Sequence, residues 1–291
     1  MRLICIPAIK SHLKYVTFTI SYLEKKFLND QIIIVTPDQN SFMHLNNGNV
    51  SVKTDSEFLD ISPEQIKNNL SEDKKSMFKW YYQQFLKYSI VIKSKKYEDI
   101  LILDADTIFL SDCIEDSDCI NFTLLEYNES YFKIIEKYFP SHKLMSKSTI
   151  VNFMWFNRIL LLNMLDIIQG NQKNNWFEVI LDNVNKSKSP FAFSEYETYS
   201  NYKHNINLPE QKDLKIFRRA DLFLSFYSFK KIIEIAKIFK FDLISFEENH
   251  NRSLSKKIIV FFMKFIIELK LLFSGYYTKN NNSIQQSNKF N

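Results

Sequence analysis

Short apolar runs alternate with amphipathic helical segments along most of the chain, and this alternation constrains the fold most strongly. The runs at 2–7 and 31–37 each end in proline, and segment 12–28 between them has apolar residues at spacings of three and four. A strand–helix–strand opening of this kind is typical of a parallel sheet with helices on its faces. A further buried strand is predicted at 99–104. We therefore predict an α/β domain with a mostly parallel central sheet flanked by helices.

The same patterns place the remaining elements. Short strands are predicted near 49–60, and Pro63 opens a helical turn. The elements predicted after it are a helix at 74–93, strands at about 119–125 and 149–155, helices at about 129–138, 157–168, 175–185 and 226–239, a helix start at 194–203 and a last strand at 241–246. The alternation continues to about residue 250, so a single domain is expected over 1–250.

Composition excludes several classes of protein. With 3 glycines in 291 residues, neither a GxGxxG dinucleotide loop nor a GxxxxGK[ST] phosphate loop can form, which excludes Rossmann dehydrogenases and P-loop NTPases. The 3 cysteines include no CxxC pair, so neither a zinc site nor a disulfide framework is indicated. The N-terminal apolar run is interrupted by Pro7 and is too short for a signal peptide, so we expect a cytoplasmic protein.

Positive charge is concentrated near the C-terminus. Segment 252–279 carries six Lys or Arg residues and one Glu, whereas residues 1–251 are close to neutral, so no nucleic-acid partner is expected. The pattern in 251–279 predicts a basic amphipathic helix at an anionic membrane surface, although packing of this helix on the domain is the alternative. The tail at 280–291 is rich in Asn, Gln and Ser and is predicted to be disordered.

Two carboxylates directly after the buried strand at 99–104 carry the strongest chemical signal. Asp104 and Asp106 follow Ile-Leu-Ile-Leu, and the carboxyl end of such a strand is where open α/β sheets bind ligands. Two carboxylates at this spacing can share a hard cation, Mn²⁺ or Mg²⁺, which neutralises a diphosphate. The alternative is a local turn in which Asp104 caps backbone amides and Asp106 is solvated.

Metal-dependent nucleotide-sugar transferases and haloacid-dehalogenase-type phosphatases both use an acidic motif after a strand. The segment Asp104-Ala-Asp-Thr-Ile108 is close to the phosphatase motif. However, that motif lies near the N-terminus in such phosphatases, and a later acidic pair is needed. Here about 100 residues precede it, and Gly170 is followed by Asn-Gln. The transferase is therefore favoured.

Several motifs together resemble a family of bacterial GT-A-type glycosyltransferases linked to surface-polysaccharide synthesis. They are the Ile-Pro-Ala-Ile-Lys start, Trp80-Tyr-Tyr-Gln-Gln-Phe-Leu-Lys87, the D-x-D segment 104–110, Asn152-Phe-Met-Trp155 and the Ser-Glu-Tyr-Glu motif within 194–202. The resemblance covers roughly 1–250. The family commonly has glycine where this chain has Lys79 and Ser200, which we interpret as drift in a glycine-poor sequence.

The resemblance implies a metal-dependent enzyme that moves a sugar from a nucleotide-diphosphate donor, with a UDP-sugar favoured, to a glycan of capsule, O-antigen or lipopolysaccharide. Asp104 and Asp106 would engage Mn²⁺ or Mg²⁺ and the nucleotide. The acceptor would be lipid-linked or an oligosaccharide, and the basic helix would hold the enzyme as a peripheral protein on the inner face of the cell membrane. The alternative is a non-catalytic binding or scaffold protein with the same fold.

Polar residues on the helix at 74–93 are predicted to bind the donor. Trp80, Gln83, Gln84 and Lys87 gather on one side of the helical wheel. Lys87 could reach a phosphate, the glutamines a hydroxyl of the ribose or sugar, and Trp80 could stack on a ring. The alternative is a solvated face with a half-buried Trp.

The segment Ser194-Glu195-Tyr196-Glu197 has two interpretations. As S-x-x-E it is a capping box, which explains Ser194 and Glu197 but leaves Glu195 without a function. Inverting GT-A-type enzymes keep a general base at such a helix start, near the acceptor. We predict Glu195 as this base, with Glu197 in reserve.

The resemblance suggests further contacts. Pro7 and Lys10 follow the first strand, where GT-A-type folds receive the nucleobase, and Asn152 and Trp155 are predicted to contact the donor or acceptor sugar. His250 is predicted as a metal ligand, because such enzymes often supply a late histidine. The alternative for His250 is an exposed side chain before the C-terminal helix.

Overall fold

The computed structural model describes residues 2–59, 61–115, 117–123 and 127–247. The predicted metal ligand His250, the basic helix predicted at 251–279 and the tail at 280–291 lie outside the described residues. Within these ranges, no helix is both long enough and apolar enough to cross a bilayer.

The strands form one large and two small sheets. In chain order they are β1 (Leu3–Pro7), β2 (Gln31–Val35), β3 (Val50–Lys53), β4 (Asp99–Leu103), β5 (Thr107–Phe109), β6 (Ile120–Phe122), β7 (Phe153–Asn157), β8 (Gln211–Asp213), β9 (Ile216–Phe217) and β10 (Leu243–Ser245). The large sheet has the order β3-β2-β1-β4-β7, in which β7 is antiparallel and the other pairings are parallel.

The helices cover both faces of this sheet. They are α1 (Leu13–Lys26), α2 (Gln39–Phe42), α3 (Pro63–Asn69), α4 (Phe78–Lys93), α5 (Glu129–Tyr138), α6 (Arg158–Gln169), α7 (Trp176–Lys186), α8 (Glu195–Asn207) and α9 (Phe229–Ile238). The prediction of an α/β domain with a mostly parallel sheet flanked by helices is confirmed.

The two-residue period of the strands explains the division of the core. Cys5 and Ile102 pack with the apolar side chains of α4, α6, α7 and α8, whereas Ile4 and Leu101 pack on the opposite face with those of α1. Because both faces are covered, these strands have continuous apolar sequences rather than alternating ones.

A small sheet extends the edge of the domain at which β4 ends. β10 pairs antiparallel with β5 and parallel with β9, and Ser245 lies opposite Thr107. The other small sheet pairs β6 with β8 in parallel. The register of β10 brings the residues that follow it next to Asp106.

Two predicted boundaries are wrong for local reasons. The strand predicted from 149 begins at Phe153, because Asn152 has a φ of 68° and a left-handed residue interrupts a strand. The helix predicted from 74 begins at Phe78, because the preceding Glu72–Met77 forms a 3-10 helix.

Candidate functional site

The aspartates after β4 lie in a turn that neighbouring strands hold in place. The Asp104 N–H donates to the Asn152 carbonyl at 2.8 Å, and the Thr107 N–H donates to the Asp104 carbonyl at 3.1 Å. The Phe246 N–H, directly after β10, donates to the Asp106 carbonyl at 3.0 Å. Asp104 and Asp106 remain partly exposed at this edge of the sheet, where open α/β folds bind ligands.

One buried ammonium group joins this turn to the start of α8. Lys87 is 4% exposed, and its Nζ lies 2.6 Å from both Asp104 Oδ1 and Glu195 Oε1. The Tyr196 hydroxyl donates to the same Asp104 oxygen at 3.2 Å, and the Lys87 Nζ lies 4.1 Å from the centre of the Tyr196 ring. We call these four residues, Lys87, Asp104, Glu195 and Tyr196, the carboxylate–lysine cluster.

Further contacts between α4 and α8 position Glu195. The Glu195 N–H donates to Gln84 Oε1 at 3.0 Å, and the Tyr88 hydroxyl donates to the Glu195 carbonyl at 2.7 Å. Gln84, Lys87 and Tyr88 point toward the same partner because residues three and four apart share one side of a helix. The first residue of α8 is therefore held by its backbone as well as its side chain.

Burial and charge set the ionisation of these groups. Burial would lower the pKa of Lys87, but the charges of Asp104 and Glu195 overcome this effect and raise its pKa well above the ordinary value. Burial raises the pKa of Asp106 to about 7, and the like charges of Asp104 and Glu247 add to the shift. Lys87 is therefore a permanent cation. The ionised form of Asp106 is disfavoured, and a cation bound beside it would stabilise that form.

Arg218 and Arg219 lie at the same edge and were not predicted from the sequence. They follow β9, and Glu247 follows the neighbouring parallel strand β10. Arg218 Nε donates to Glu247 Oε1 at 2.7 Å, Arg219 Nε lies 3.7 Å from Glu247 Oε2, and the Ser245 hydroxyl donates to Glu247 at 3.1 Å. The sequence signal for them is weak, because two adjacent arginines after a two-residue strand form no motif.

The aspartates provide two of the carboxylates that a divalent-cation site would need. Carboxylate oxygens suit Mn²⁺ and Mg²⁺. The pKa of Asp106 is raised mainly by burial and further by the negative charges of Asp104 and Glu247, and a bound cation would favour the ionised form. In the ranges that the structure describes, no group of three or more His, Cys, Asp or Glu side chains is arranged to hold a metal ion. The described residues therefore offer Asp104 and Asp106, and the predicted third ligand, His250, lies outside them.

The predicted polar face of α4 divides into buried and exposed parts. Gln84 and Lys87 are buried against α8, whereas Gln83 is exposed. Trp80 is half-buried, stacks on Tyr131 with 6.3 Å between ring centroids and meets Phe191 edge-on at 5.5 Å. The ring predicted to stack on a nucleotide is thus partly covered by the protein. In this structure Lys87 neutralises carboxylates rather than reaching into a cleft.

Glu197 is a buried group in the interior of the domain. It is 0% exposed, and its carboxylate accepts hydrogen bonds from the Ser148 hydroxyl, the Thr149 N–H and the Thr149 hydroxyl. Its N–H donates to the Ser194 hydroxyl at 3.4 Å, which is the N-cap contact expected from S-x-x-E. The prediction of Glu197 as a reserve base does not fit this placement, because its carboxylate is fully buried and its hydrogen bonds are made within the protein.

The other residues predicted to contact a ligand differ in how far they are buried. Pro7 is buried at the end of β1, and Lys10 is exposed in the 3-10 turn that follows. Asn152 is buried beside the aspartate turn, and its Nδ2 donates to the Ser245 hydroxyl at 3.2 Å. Trp155 is 3% exposed, and its indole N–H donates to a backbone carbonyl at 2.7 Å. Direct contact of Trp155 with a sugar does not fit this burial.

Comparisons with known proteins identify a distant structural similarity. No protein-family model and no curated protein matches the chain. The galactosyltransferase LgtC, in complex with donor and acceptor sugar analogs, is similar over 88% of this chain and 91% of its own, with 9% identity and a TM-score of 0.44. An active-site mutant of LgtC is similar over 84% and 87%, with 10% identity and a TM-score of 0.46. Similarity at this level leaves the activity to be inferred from the chain's own residues.

Proposed function

We propose that this chain is a GT-A-type glycosyltransferase that moves a sugar from a nucleotide-diphosphate donor to a glycan acceptor in the synthesis of a bacterial surface polysaccharide. The observation that carries the proposal is the carboxylate–lysine cluster, in which Lys87 joins the aspartate turn after β4 to Glu195 at the start of α8. If Asp104 binds the donor and Glu195 is the base, their contact through Lys87 supports the proposal, because both lie at the edge of the sheet where α/β folds bind ligands.

The donor half of the site consists of carboxylates and guanidinium groups. Asp104 and Asp106 would hold Mn²⁺ or Mg²⁺, and the ion, when bound, supplies positive charge to the departing diphosphate. Arg218 and Arg219 add cationic groups whose planar geometry suits phosphate oxygens. This combination favours a nucleoside diphosphate, with a UDP-sugar as the donor.

Glu195 is the proposed general base for the acceptor hydroxyl. It is 4% exposed and paired with Lys87, so the proposal requires that its carboxylate becomes accessible when the acceptor binds. Burial raises the pKa of its carboxyl group, although Lys87 opposes this shift, and a higher pKa makes a carboxylate a better proton acceptor. Lys87 also fixes the orientation of the side chain. The hydroxyl oxygen would then form a bond to the anomeric carbon as the bond from that carbon to the diphosphate oxygen breaks. The nucleoside diphosphate leaves, and the hydroxyl proton passes to Glu195.

The acceptor in this proposal is a lipid-linked glycan or an oligosaccharide, and the enzyme acts at the inner face of the cell membrane. The basic helix predicted at 251–279 would provide the membrane contact. No nucleic-acid partner is proposed, because residues 1–251 are nearly neutral.

Calorimetric titration of the full chain with UDP, with and without Mn²⁺, tests this function. We expect UDP binding that requires the metal and is lost in Asp106→Ala. The control is Asp112→Ala, which removes an exposed aspartate that pairs with Lys26. UDP binding that is independent of metal and equal in both variants would refute the proposed donor site.

A non-catalytic scaffold is the second candidate, and one observation favours it. Asp104 and Glu195 are both paired with Lys87, as expected for carboxylates with a structural function. A scaffold would show no metal-linked UDP binding and no release of UDP from a UDP-sugar.

A phosphatase would instead release inorganic phosphate from a generic phosphomonoester. This release can be measured on the same preparation.

A further inference from the structure

A cavity of about 540 Å³ lies on the side of α4 that faces away from the carboxylate–lysine cluster. It is bounded by α3, the C-terminal part of α4, the first turn of α7 and the residues just before α3. Ser89, in its wall, follows Lys87 by two residues, or about 200° around the helix axis. The volume of the cavity is within the roughly 300–1,000 Å³ range of small-molecule sites. We call it the α3–α4–α7 cavity.

Half-buried aromatic rings form the apolar part of its lining. They are Phe58, Trp176 and Phe177. Trp176 meets Phe85 edge-on with 5.4 Å between centroids and meets Phe177 edge-on at 5.6 Å. The core therefore fixes the orientation of the indole, and a rigid ring binds a ligand with little loss of conformational entropy.

Ser89 brings a hydroxyl group into the cavity. The residue is 6% exposed, and it is among the residues that line the cavity. By contrast, the hydroxyl of Ser94, directly after α4, donates back to the Ile90 carbonyl at 2.7 Å. The Ser89 hydroxyl is therefore available to a ligand that enters the cavity, and a ligand hydroxyl that bonds to it gains affinity.

The remaining polar groups are exposed amides at the rim and two charged groups that already have protein partners. Gln65 and Asn68 present exposed amides at the rim. The Glu178 carboxylate accepts the N-cap N–H of α7 at 2.8 Å, and the Lys93 ammonium donates to the Glu57 carbonyl at 3.4 Å. One positive and one negative group, each with a protein partner, favour a ligand without net charge.

We propose that the α3–α4–α7 cavity binds a neutral oligosaccharide. A pyranose ring has an apolar C–H face that packs on an aromatic ring, as Trp176 offers, and hydroxyls that pair with Ser89 and with the amides of Asn68 and Gln65. The binding goes beyond the proposed transferase activity and does not require it. In an enzyme that extends a glycan, this site would retain a part of the chain remote from the reacting end.

Calorimetric titration with three neutral trisaccharides, cellotriose, chitotriose and maltotriose, tests the proposal on the full chain. We expect at least one of them to bind and to change the tryptophan fluorescence. Ser89→Ala and Asn68→Ala should each weaken this binding about fivefold to tenfold, the effect of one lost hydrogen bond. The control is Asn171→Ala, an exposed amide outside the cavity lining. Asn68 is also exposed, so its variant keeps the test valid if Ser89→Ala unfolds.

Four outcomes would overturn the proposal. The first is that none of the trisaccharides binds, and the second is that both cavity variants bind as tightly as the unaltered chain. The third is displacement by UDP with Mn²⁺, which would locate the sugar at the carboxylate–lysine cluster. The fourth is tighter binding of the anionic trigalacturonic acid, which would contradict a neutral ligand. Loss of metal-linked UDP binding would refute the transferase while leaving trisaccharide binding intact.

Discussion

The ammonium group of Lys87 on α4 lies 2.6 Å from the carboxylate of Glu195, the first residue of α8 and 108 positions later in the chain. Asp104 lies at the same distance from this ammonium. The three groups lose hydration on folding, and their mutual attraction and hydrogen bonds compensate for that loss. Lys87 therefore links the proposed donor side of the site to the proposed base.

Lys87→Met should destabilise the domain by about 3–5 kcal/mol, because it leaves two largely buried carboxylates without a counter-charge. Urea unfolding followed by circular dichroism measures this change. Adding Glu195→Gln to the variant should recover part of the loss, since one uncompensated charge is removed. Lys75→Met, which breaks an exposed pair with Glu72, should have little effect. Equal losses in both single variants would contradict a special function of Lys87 in stability.

Asp106→Asn should separate activity from stability. Transfer from a UDP-sugar should fall by at least about a hundredfold, as expected when a group that stabilises transition-state charge is removed. The fold should be at least as stable at pH 8, because burial and like charges raise the pKa of Asp106 to about 7 and its ionised form is disfavoured. Thermal unfolding at pH 8 and UDP release measure the two effects, with Asp112→Asn as the control. Unchanged transfer would exclude Asp106 from the site.

Arg219→Gln should weaken the binding of UDP about tenfold or more while leaving uridine binding unchanged, because a charged hydrogen bond to phosphate is lost. Titration with both ligands in the presence of Mn²⁺ measures the difference. Lys215→Gln is the control, since Lys215 is exposed two residues before the end of β9. An equal loss for UDP and uridine would point to a structural effect of the substitution.

Glu197 should make the stability of the domain depend on pH. Burial raises its pKa from 4.5 to about 7 in the folded state, so the unfolded chain loses this proton at lower pH than the folded one. The contribution of Glu197 is therefore favourable below pH 4.5 and is lost as the pH rises to 7. Between pH 4.5 and 8, the free energy of unfolding should fall less in Glu197→Gln than in the unaltered chain, and the difference should be roughly 3 kcal/mol. Parallel pH curves for the two proteins would contradict the raised pKa.

Local patterns predicted most elements and the chemistry of the turn after β4. The apolar run before Asp104 is long enough for one buried strand, and the spacing of apolar residues on α4 marks its core side. The start of β7 could not be predicted in this way. Asn152 adopts its left-handed conformation where its carbonyl accepts the Asp104 N–H, and this contact joins two distant parts of the chain.

The order of strands and helices, and the position of two aspartates at the end of a buried strand, follow from periodicities of two and 3.6 residues that any short window of sequence contains. The partners of the charged side chains do not follow from these periodicities. Lys87 could have faced solvent or a phosphate, and Glu197 could have faced an acceptor, until packing placed one beside Glu195 and the other against Thr149. Tertiary packing decides such pairings, because the energy of a charge depends on its burial and on neighbours that are remote in the chain.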